Sequence, residues 1–288
     1  NSNEIYLLQD TDGDGAAETV TLFADDSNGL NQASGMLFTD EFFYVANTDS
    51  IVRYPYTSGQ TRITGTGETI ATYVGGGGHW SRNIILSPDG EKIYVSIGSD
   101  SNVAEEASPR ATVQFMDVDG SNMQTFASGL RNANGFFFHP ETDQLYTTVN
   151  ERDMLGDDLV PDYLTKIEEG DFFGWPYAYL SPNNIDPRMT DNNGDSLNPA
   201  LAATTKTPDV LFQAHSAALG AAFYTGRNFT EKYRNGAFVA MRGSWNRDEG
   251  TGYKIVFVPF NENNEPTGEY EDFVTGFLVD PSGPTTWG

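Results

Sequence analysis

The chain has 288 residues, enough to bury a large core in one all-β domain or in two smaller ones, and its 41 acidic and 16 basic side chains give a formal charge of −25. This charge repels phosphate backbones and anionic lipid, so nucleic acid and membrane surfaces are disfavoured as partners, and no apolar run is long enough to predict a membrane span. The absence of cysteine excludes disulfides, thiolate metal sites and cysteine nucleophiles.

The first predicted elements are two strands on either side of an acidic turn. Residues 5–8 and 20–23 have the apolar pattern of two outer strands of a sheet whose inner pair does not precede them. Between them, residues 10–15 (DTDGDG) resemble the start of an EF-hand calcium loop, but the twelfth position is Thr21 rather than a bidentate glutamate. We expect a hairpin turn here, with a peripheral calcium site as the alternative.

A pattern of about 50 residues then repeats along the chain. Each copy contains a short apolar run followed by an aromatic strand, and Tyr44, Tyr94 and Tyr146 occupy equivalent places 50 and 52 residues apart. A fourth copy reaches Phe238 after an insertion at residues 181–208 that is rich in Asn, Asp and Pro. A repeat of this length built only from strands predicts a β-propeller of four-stranded blades, and a β-sandwich of regular hairpins is the alternative.

The pattern predicts a single propeller domain over residues 1–288. We expect this propeller to be a fragment that lacks part of its first blade and its last blade, because a further blade is due where the chain stops at Trp287 and Gly288.

The loops between the repeats contain the residues best suited to chemistry. Four glycines at residues 75–78 lead to His79 at the start of a strand, where propeller loops surround the central channel. Later loops read, in chain order, GLRN (129–132), NERD (150–153), GDDLVPDY (156–163), GWPY (174–177) and RGSWNR (242–247). Other conspicuous side chains are interpreted as structural: His139 and His215 as hydrogen-bonded histidines, and Trp175 and Tyr177 as packing residues rather than sugar platforms.

In order and spacing, over nearly the whole chain, these motifs resemble the sorbosone and soluble glucose dehydrogenase family, and most nearly its sorbosone or pyranose dehydrogenase branch. The resemblance implies a six-bladed propeller that holds pyrroloquinoline quinone (PQQ) over its central channel and oxidises an aldose or a sorbosone-like sugar. It implies that His79 is the general base, and that Arg131 and Asn132 contact the carboxylate and quinone oxygens of the cofactor.

The same resemblance implies a calcium ion, Ca²⁺, beside the quinone. It maps onto Gly156, Asp157 and Asp158, and calcium prefers hard oxygen ligands of this kind. The alternative for the two aspartates is a solvated turn.

Arginine in the motif loops supports the cofactor assignment on physical grounds. PQQ is a tricarboxylate, and a protein of charge −25 can hold it only where cations are concentrated. The motif loops supply five candidate cofactor-binding guanidinium groups, on Arg82, Arg131, Arg152, Arg242 and Arg247. Ordinary surface ion pairing is the alternative for each of them.

We therefore expect a periplasmic or extracellular quinoprotein that takes a small sugar as substrate and passes electrons to an external acceptor. Two other classes stay open. A calcium-dependent lactonase-type propeller hydrolase would need several Asn, Asp or Glu ligands around the channel. A non-catalytic propeller that binds carbohydrate or protein would keep the scaffold and lack the cofactor.

Overall fold

The computed structural model describes residues 3–282, which form antiparallel sheets almost throughout. Sheet 1 is a hairpin of β1 (Ile5–Gln9) and β2 (Thr19–Ala24), followed by a 3₁₀ turn (Asp26–Asn28). Sheet 2 consists of β3 (Gly35–Phe38), β4 (Phe42–Ala46), β5 (Ser50–Pro55) and β6 (Glu68–Thr72). Sheet 3 consists of β7 (Ile84–Leu86), β8 (Lys92–Ile97), β9 (Thr112–Asp117) and β10 (Gln124–Ser128).

The second half of the chain contains two more sheets and the insertion. Sheet 4 begins with β11 (Ala133–Phe138), β12 (Leu145–Val149) and β13 (Pro161–Lys166), after which β14 (Asp171–Phe172) returns to pair in parallel with β10. The hairpin of β15 (Ala178–Tyr179) and β16 (Ser181–Ile185) and the short helix α1 (Pro199–Ala202) precede β17 (Val210–Ala214), which completes sheet 4. Sheet 5 consists of β18 (Ala218–Phe223), β19 (Gly236–Met241), β20 (Lys254–Pro259) and β21 (Glu271–Val274), with a 3₁₀ turn (Glu231–Tyr233) after β18.

Consecutive sheets pack face to face, as propeller blades do. The repeated tyrosines lie at these interfaces: Tyr44 packs between sheets 2 and 3, and Tyr146 between sheets 4 and 5. Strand β12 is buried at every position because its sheet is covered on both faces. Burial of these apolar faces stabilises each sheet by roughly 25 cal/mol per Å² of apolar surface, so no blade is expected to be stable alone. The all-β, propeller-like prediction is confirmed.

The predicted count of six blades is not confirmed. The described residues form four sheets of at least four strands and two two-stranded sheets, β1–β2 and β15–β16, whereas six blades were expected for the whole ring, with part of the first blade and the last blade missing from this chain. The repeat accounts for one complete sheet per copy between residues 35 and 274, and the insertion at residues 181–208 lengthens the third of these copies. The prediction that a last blade is missing concerns the chain end at Trp287 and Gly288, which lies outside the described residues.

The two predictions for the N-terminal region are confirmed. Strands β1 and β2 pair with each other, and the acidic DTDGDG segment is the turn that joins them. Backbone amides of Gly13 and Gly15 donate to the Asp10 carboxylate, 2.6 and 2.8 Å away. Oxygens of Asp10, Asp12, Asp14 and Glu18 lie within 4.8 Å of one another at this exposed turn.

The antiparallel pairing brings the motif loops to one edge of the sheets. Ala133 at the start of β11 pairs with Val149 at the end of β12, and Ala218 at the start of β18 pairs with Met241 at the end of β19. The loop before the first strand of a sheet therefore lies next to the loop after the second strand of that sheet. Within the described residues, no helix has the length and apolarity needed to cross a membrane.

Candidate active site

A cavity of about 590 Å³, with its open mouth included, lies where the loops of sheets 3, 4 and 5 meet. Four of the sequence-predicted residues line it: His79 before β7, Arg131 and Asn132 before β11, and Arg242 after β19. The structure thus brings together side chains that are up to 163 positions apart in the chain.

His79 is held at the cavity by its glycine-rich loop. Gly76 and Gly77 have φ angles of 65° and 87°, which only glycine adopts without strain. The Nδ1 atom of His79 lies 2.8 Å from the Ser99 carbonyl oxygen, so Nδ1–H donates to that oxygen and Nε2 keeps its lone pair. Burial and the nearby Arg131 cation lower the pKa of His79 to about 4, so the imidazole is neutral at pH 7.

Arg131 is buried and fixed from several directions. Its guanidinium donates to the Glu151 carbonyl at 2.5 Å and to the Asn102 side chain at 3.1 Å, and it pairs with Asp153 at 3.0 Å. The neighbouring Asn132 has a buried Oδ1 that accepts no hydrogen bond from the described residues. An unpartnered buried amide oxygen is costly, which favours a bound group or ordered water beside it.

Three carboxylates that line the cavity, Glu151, Asp153 and Asp162, were not among the predicted site residues. Glu151 and Asp162 are almost completely buried, and burial raises their pKa values to about 7 and about 6. Asp162 accepts backbone N–H bonds from Glu151 and Ala217, whereas Oε1 of Glu151 has no partner among the described residues. Their positions inside the NERD and GDDLVPDY motifs were the only sequence signal for them.

His215, interpreted from the sequence as structural, also lines the cavity. Its Nδ1 lies 3.4 Å from Oδ1 of Asp153, and its Nε2 lies 3.0 Å from the Gly156 carbonyl. Burial acts to lower the pKa of His215, but the hydrogen bonds and negative charge of these partners outweigh it and raise the pKa above its usual value. Asp153 therefore joins Arg131 to His215, and Asn246 donates to the same carboxylate at 2.7 Å.

The remaining predicted arginines do not line the cavity. Arg82 is fully buried, and its guanidinium donates to the carbonyls of His79 and Ser81 at 2.7 and 2.9 Å, so it supports the His79 loop from behind. Arg152 is 1% exposed and forms an ion pair with Asp186 at 2.9 Å. Neither guanidinium group lines the cavity, and the contact of either one with the cofactor stays a prediction.

Arg247 and the predicted calcium residues form a separate group beside the cavity. Arg247 donates to the Asp157 carbonyl, and its guanidinium lies 3.7 Å from the Asp158 carboxylate, whose side chain is 94% exposed. The Gly156 carbonyl is occupied by His215. None of the three predicted calcium residues lines the cavity, because the loop turns outward after Asp153.

The donor set fits an anionic quinone only together with a cation. Arg131 and Arg242 offer positive charge to carboxylates of a ligand, but Glu151, Asp153 and Asp162 face the same space. At pH 7 Glu151 is about half protonated, but Asp153 and most of Asp162 are ionised, and their charge would oppose a further anion unless a divalent ion lay between them. The unpartnered oxygens of Glu151 and Asn132 are hard donors suited to such an ion or to a polar cofactor edge.

Comparison with known proteins agrees with the fold and the motifs. A family model described as TrAA12-like matches residues 4–169 and 165–277. An uncharacterized protein of Borreliella burgdorferi is 33% identical over 202 residues, which are 69% of this chain and 51% of that protein. A pyrroloquinoline quinone-dependent pyranose dehydrogenase of Coprinopsis cinerea is 28% identical over 228 residues, which are 63% of this chain and 30% of that protein.

A solved structure of the Trichoderma reesei Carbohydrate-Active Enzymes Family AA12 protein has the same fold. It superposes with a TM-score of 0.78 at 21% identity, over 96% of this chain and 78% of that one. The chain spans about half the length of the first curated relative and less than a third of the second. The family resemblance that the motifs indicated is confirmed.

Proposed function

The chain belongs to the TrAA12-like family, and we propose that it is a sugar oxidoreductase that transfers hydride from an aldose or a sorbosone-like sugar to PQQ. The observation that carries this proposal is the convergence of a neutral histidine and two arginines on one cavity. The name of the Coprinopsis cinerea relative supports the substrate class and the cofactor.

In this proposal His79 is the general base. Oxidation of a sugar hydroxyl removes a proton from oxygen and a hydride from carbon, and Nε2 of His79 can accept the proton because Nδ1–H is committed to Ser99. Arg82 and the Ser99 carbonyl keep the imidazole in this orientation. When bound, the quinone would supply the acceptor for the hydride.

The cofactor would be held by the cations and amides of the cavity. Arg131 and Arg242 would pair with its carboxylates, and Asn132 would meet its polar edge. Asp153 would keep Arg131 in place through their 3.0 Å ion pair. We assign Arg82, Arg152 and Arg247 supporting roles, in keeping with their carbonyl and carboxylate partners.

We also propose a calcium ion in this cavity. The geometry favours Glu151 and Asp162 over Gly156, Asp157 and Asp158 as the residues that hold it, because only the former line the cavity. Calcium would offset their negative charge and so allow an anionic cofactor to approach.

A six-bladed ring is likewise our proposal for the complete protein. The four larger sheets pack in sequence, and sheet 1 packs on sheet 2 in the same way, which supports it as part of a further blade. A structure of the full-length protein would test the number of blades.

Reconstitution tests the function. The purified chain is incubated with PQQ and calcium, and dye reduction is measured with a panel of aldoses; we expect sugar-dependent reduction that needs both additions. PQQ binding, followed by its visible absorbance, is measured in parallel. Binding without dye reduction for any sugar would indicate a non-catalytic site, and absence of binding would contradict the proposal.

A calcium-dependent hydrolase is a second candidate, because the cavity collects the oxygen ligands that such an enzyme requires. Besides Glu151 and Asp162, the amides of Asn132, Asn150 and Asn246 line it. A hydrolase would cleave sugar lactones with calcium alone, so a lactone assay without PQQ separates the two candidates.

A further inference from the structure

A second groove is linked to the cavity by hydrogen bonds through one short segment of chain. It has a volume of about 330 Å³, at the lower end of the range of about 300–1,000 Å³ found for ligand sites. Its lining includes Glu105, Glu106, Arg110, Trp175 and Tyr177. Neither the His79 chemistry nor the cofactor contacts described above use it.

The segment of residues 99–102, here called the ridge, makes hydrogen bonds to residues that line each of the two spaces. On the cavity side, Ser99 accepts from His79 and Asn102 accepts from Arg131. On the groove side, Trp175 donates to the Asn102 carbonyl at 2.9 Å. The Glu106 carboxylate accepts from the backbone amides of residues 100 and 101, both at 2.7 Å. The ridge is therefore a single stretch of chain that is hydrogen-bonded both to residues of the cavity and to residues of the groove.

The groove also contacts the loop that delivers His79. Arg110 donates to the carbonyls of Gly75 and Gly76 at 2.8 and 2.9 Å. Its guanidinium is thus committed to neutral backbone oxygens and leaves the acidic side chains of the groove uncompensated. An anionic ligand is disfavoured there, whereas a neutral molecule rich in hydroxyl donors matches the carboxylate acceptors.

Aromatic and acidic groups stand side by side in this groove. Tyr177 donates to the exposed Glu105 carboxylate at 2.7 Å, which fixes both side chains at the groove wall. Apolar ring surface beside a few oriented polar groups is the usual composition of a small-molecule site, and it suits a sugar ring, which has apolar C–H surface and hydroxyl edges.

We propose that this groove is a subsite for the non-reacting rings of a neutral oligosaccharide whose terminal ring lies in the His79 cavity. The proposal rests on the proposed sugar oxidation for its substrate class. It assigns Glu105 and Tyr177 as the residues that bind the second ring, which gives Tyr177 a role in place of the packing role expected from the sequence. A longer saccharide then gains contacts beyond the ridge that a monosaccharide lacks.

The first test measures binding without catalysis. Isothermal titration of the chain, with no quinone added, uses cellotriose and maltotriose as probes and glucose as the comparison. We expect at least one trisaccharide to bind about tenfold more tightly than glucose, as one or two added hydrogen bonds would give. Equal affinity for glucose and both trisaccharides would overturn the proposal.

Variants locate the binding. Glu105→Gln and Tyr177→Ala are expected to remove most of the trisaccharide advantage, about tenfold in Kd. Glu265→Gln is the matched control, because Glu265 is an exposed carboxylate that lines a different groove, of about 380 Å³, and its substitution should leave both affinities unchanged. Equal weakening by Glu105→Gln and Glu265→Gln would place the saccharide elsewhere and overturn the subsite.

Kinetics of the PQQ-loaded protein separate the two proposals. A trisaccharide that binds through Glu105 but is not oxidised would contradict the proposed function and leave the subsite supported. Oxidation of glucose with no gain in kcat/KM for either trisaccharide would contradict the subsite alone.

Discussion

At the scale of single residues, the protonation state of His79 gives the sharpest prediction. Its pKa is lowered to about 4, mainly by burial and then by Arg131, so its base form persists well below the usual histidine range. We expect kcat/KM to be retained above about pH 4 and to be lost as the pH falls through that value, because protonation of His79 removes the base. His79→Ala should lower kcat by about 10²–10⁴-fold and leave PQQ affinity nearly unchanged.

The measurements are a pH profile of dye reduction and a PQQ titration of the variant. Equal loss of turnover and of cofactor binding in His79→Ala would argue that the imidazole holds the cofactor instead of acting as a base. An acid limb near pH 6.5 that disappears in the variant would contradict the lowered pKa.

Three of the predicted residues that line the cavity have motifs that fix their place before the first strand of a sheet. His79, Arg131 and Asn132 immediately precede or closely approach the first strand of a sheet, and the repeat alone puts such positions around one cavity. His215 stands in the same place relative to β18, but no arginine or glycine run marks it, so its contact with Asp153 was visible only in the structure.

The outward course of the loop after Asp153 could not be read from composition either. Acidic residues suit both a calcium site and a solvated turn, and the difference depends on which way the backbone runs. The contacts made by this part of the backbone come from His215, on the loop before β18, and from Asn246, on the loop after β19, both far along the chain.

At the scale of elements, the end of strand β8 sets the spacing between two site residues. A Cβ added at Gly98 would lie 2.6 Å from Oδ1 of Asn132 and 2.6 Å from Cβ of His79. We expect Gly98→Ala to displace one or both side chains and to lower dye reduction by at least tenfold, with little change in far-UV circular dichroism, since misplacement of a reacting group alone carries a large rate penalty.

Gly220→Ala, in strand β18, is the matched control. A Cβ at that position meets no atom within 4 Å, so activity should be retained. Full activity in Gly98→Ala would show that the contact between β8 and the site is not needed for turnover.

Strand and sheet order were predictable because the tyrosine spacing fixes where each sheet begins. The insertion was not: residues 181–208 have too few apolar residues to indicate the β15–β16 hairpin or helix α1, whose positions depend on tertiary contacts such as that between Asp186 and Arg152. The parallel pairing of β14 with β10, which adds a fifth strand to sheet 3, is likewise a long-range contact without a local signal.

At the scale of the whole molecule, the charge of −25 should govern which electron acceptors react fastest. We expect a cationic dye to reoxidise the loaded protein faster than an anionic dye of similar potential at low ionic strength. The difference should shrink as salt is raised to about 0.1 M and beyond, where screening acts within about 10 Å. Stopped-flow rates at several salt concentrations provide the check, and rates for the two dyes that are equal at low salt would contradict it.

The ion pair between Arg152 and Asp186 has a consequence for any attempt to shorten this protein. The insertion supplies the carboxylate that neutralises a guanidinium set among the core residues next to Glu151, with the two pairing atoms 2.9 Å apart. Deleting the segment would leave a bare positive charge in the interior at a cost of about 3–5 kcal/mol. Surface residues of the insertion can thus be redesigned, provided that the Asp186 carboxylate is kept as the partner of Arg152.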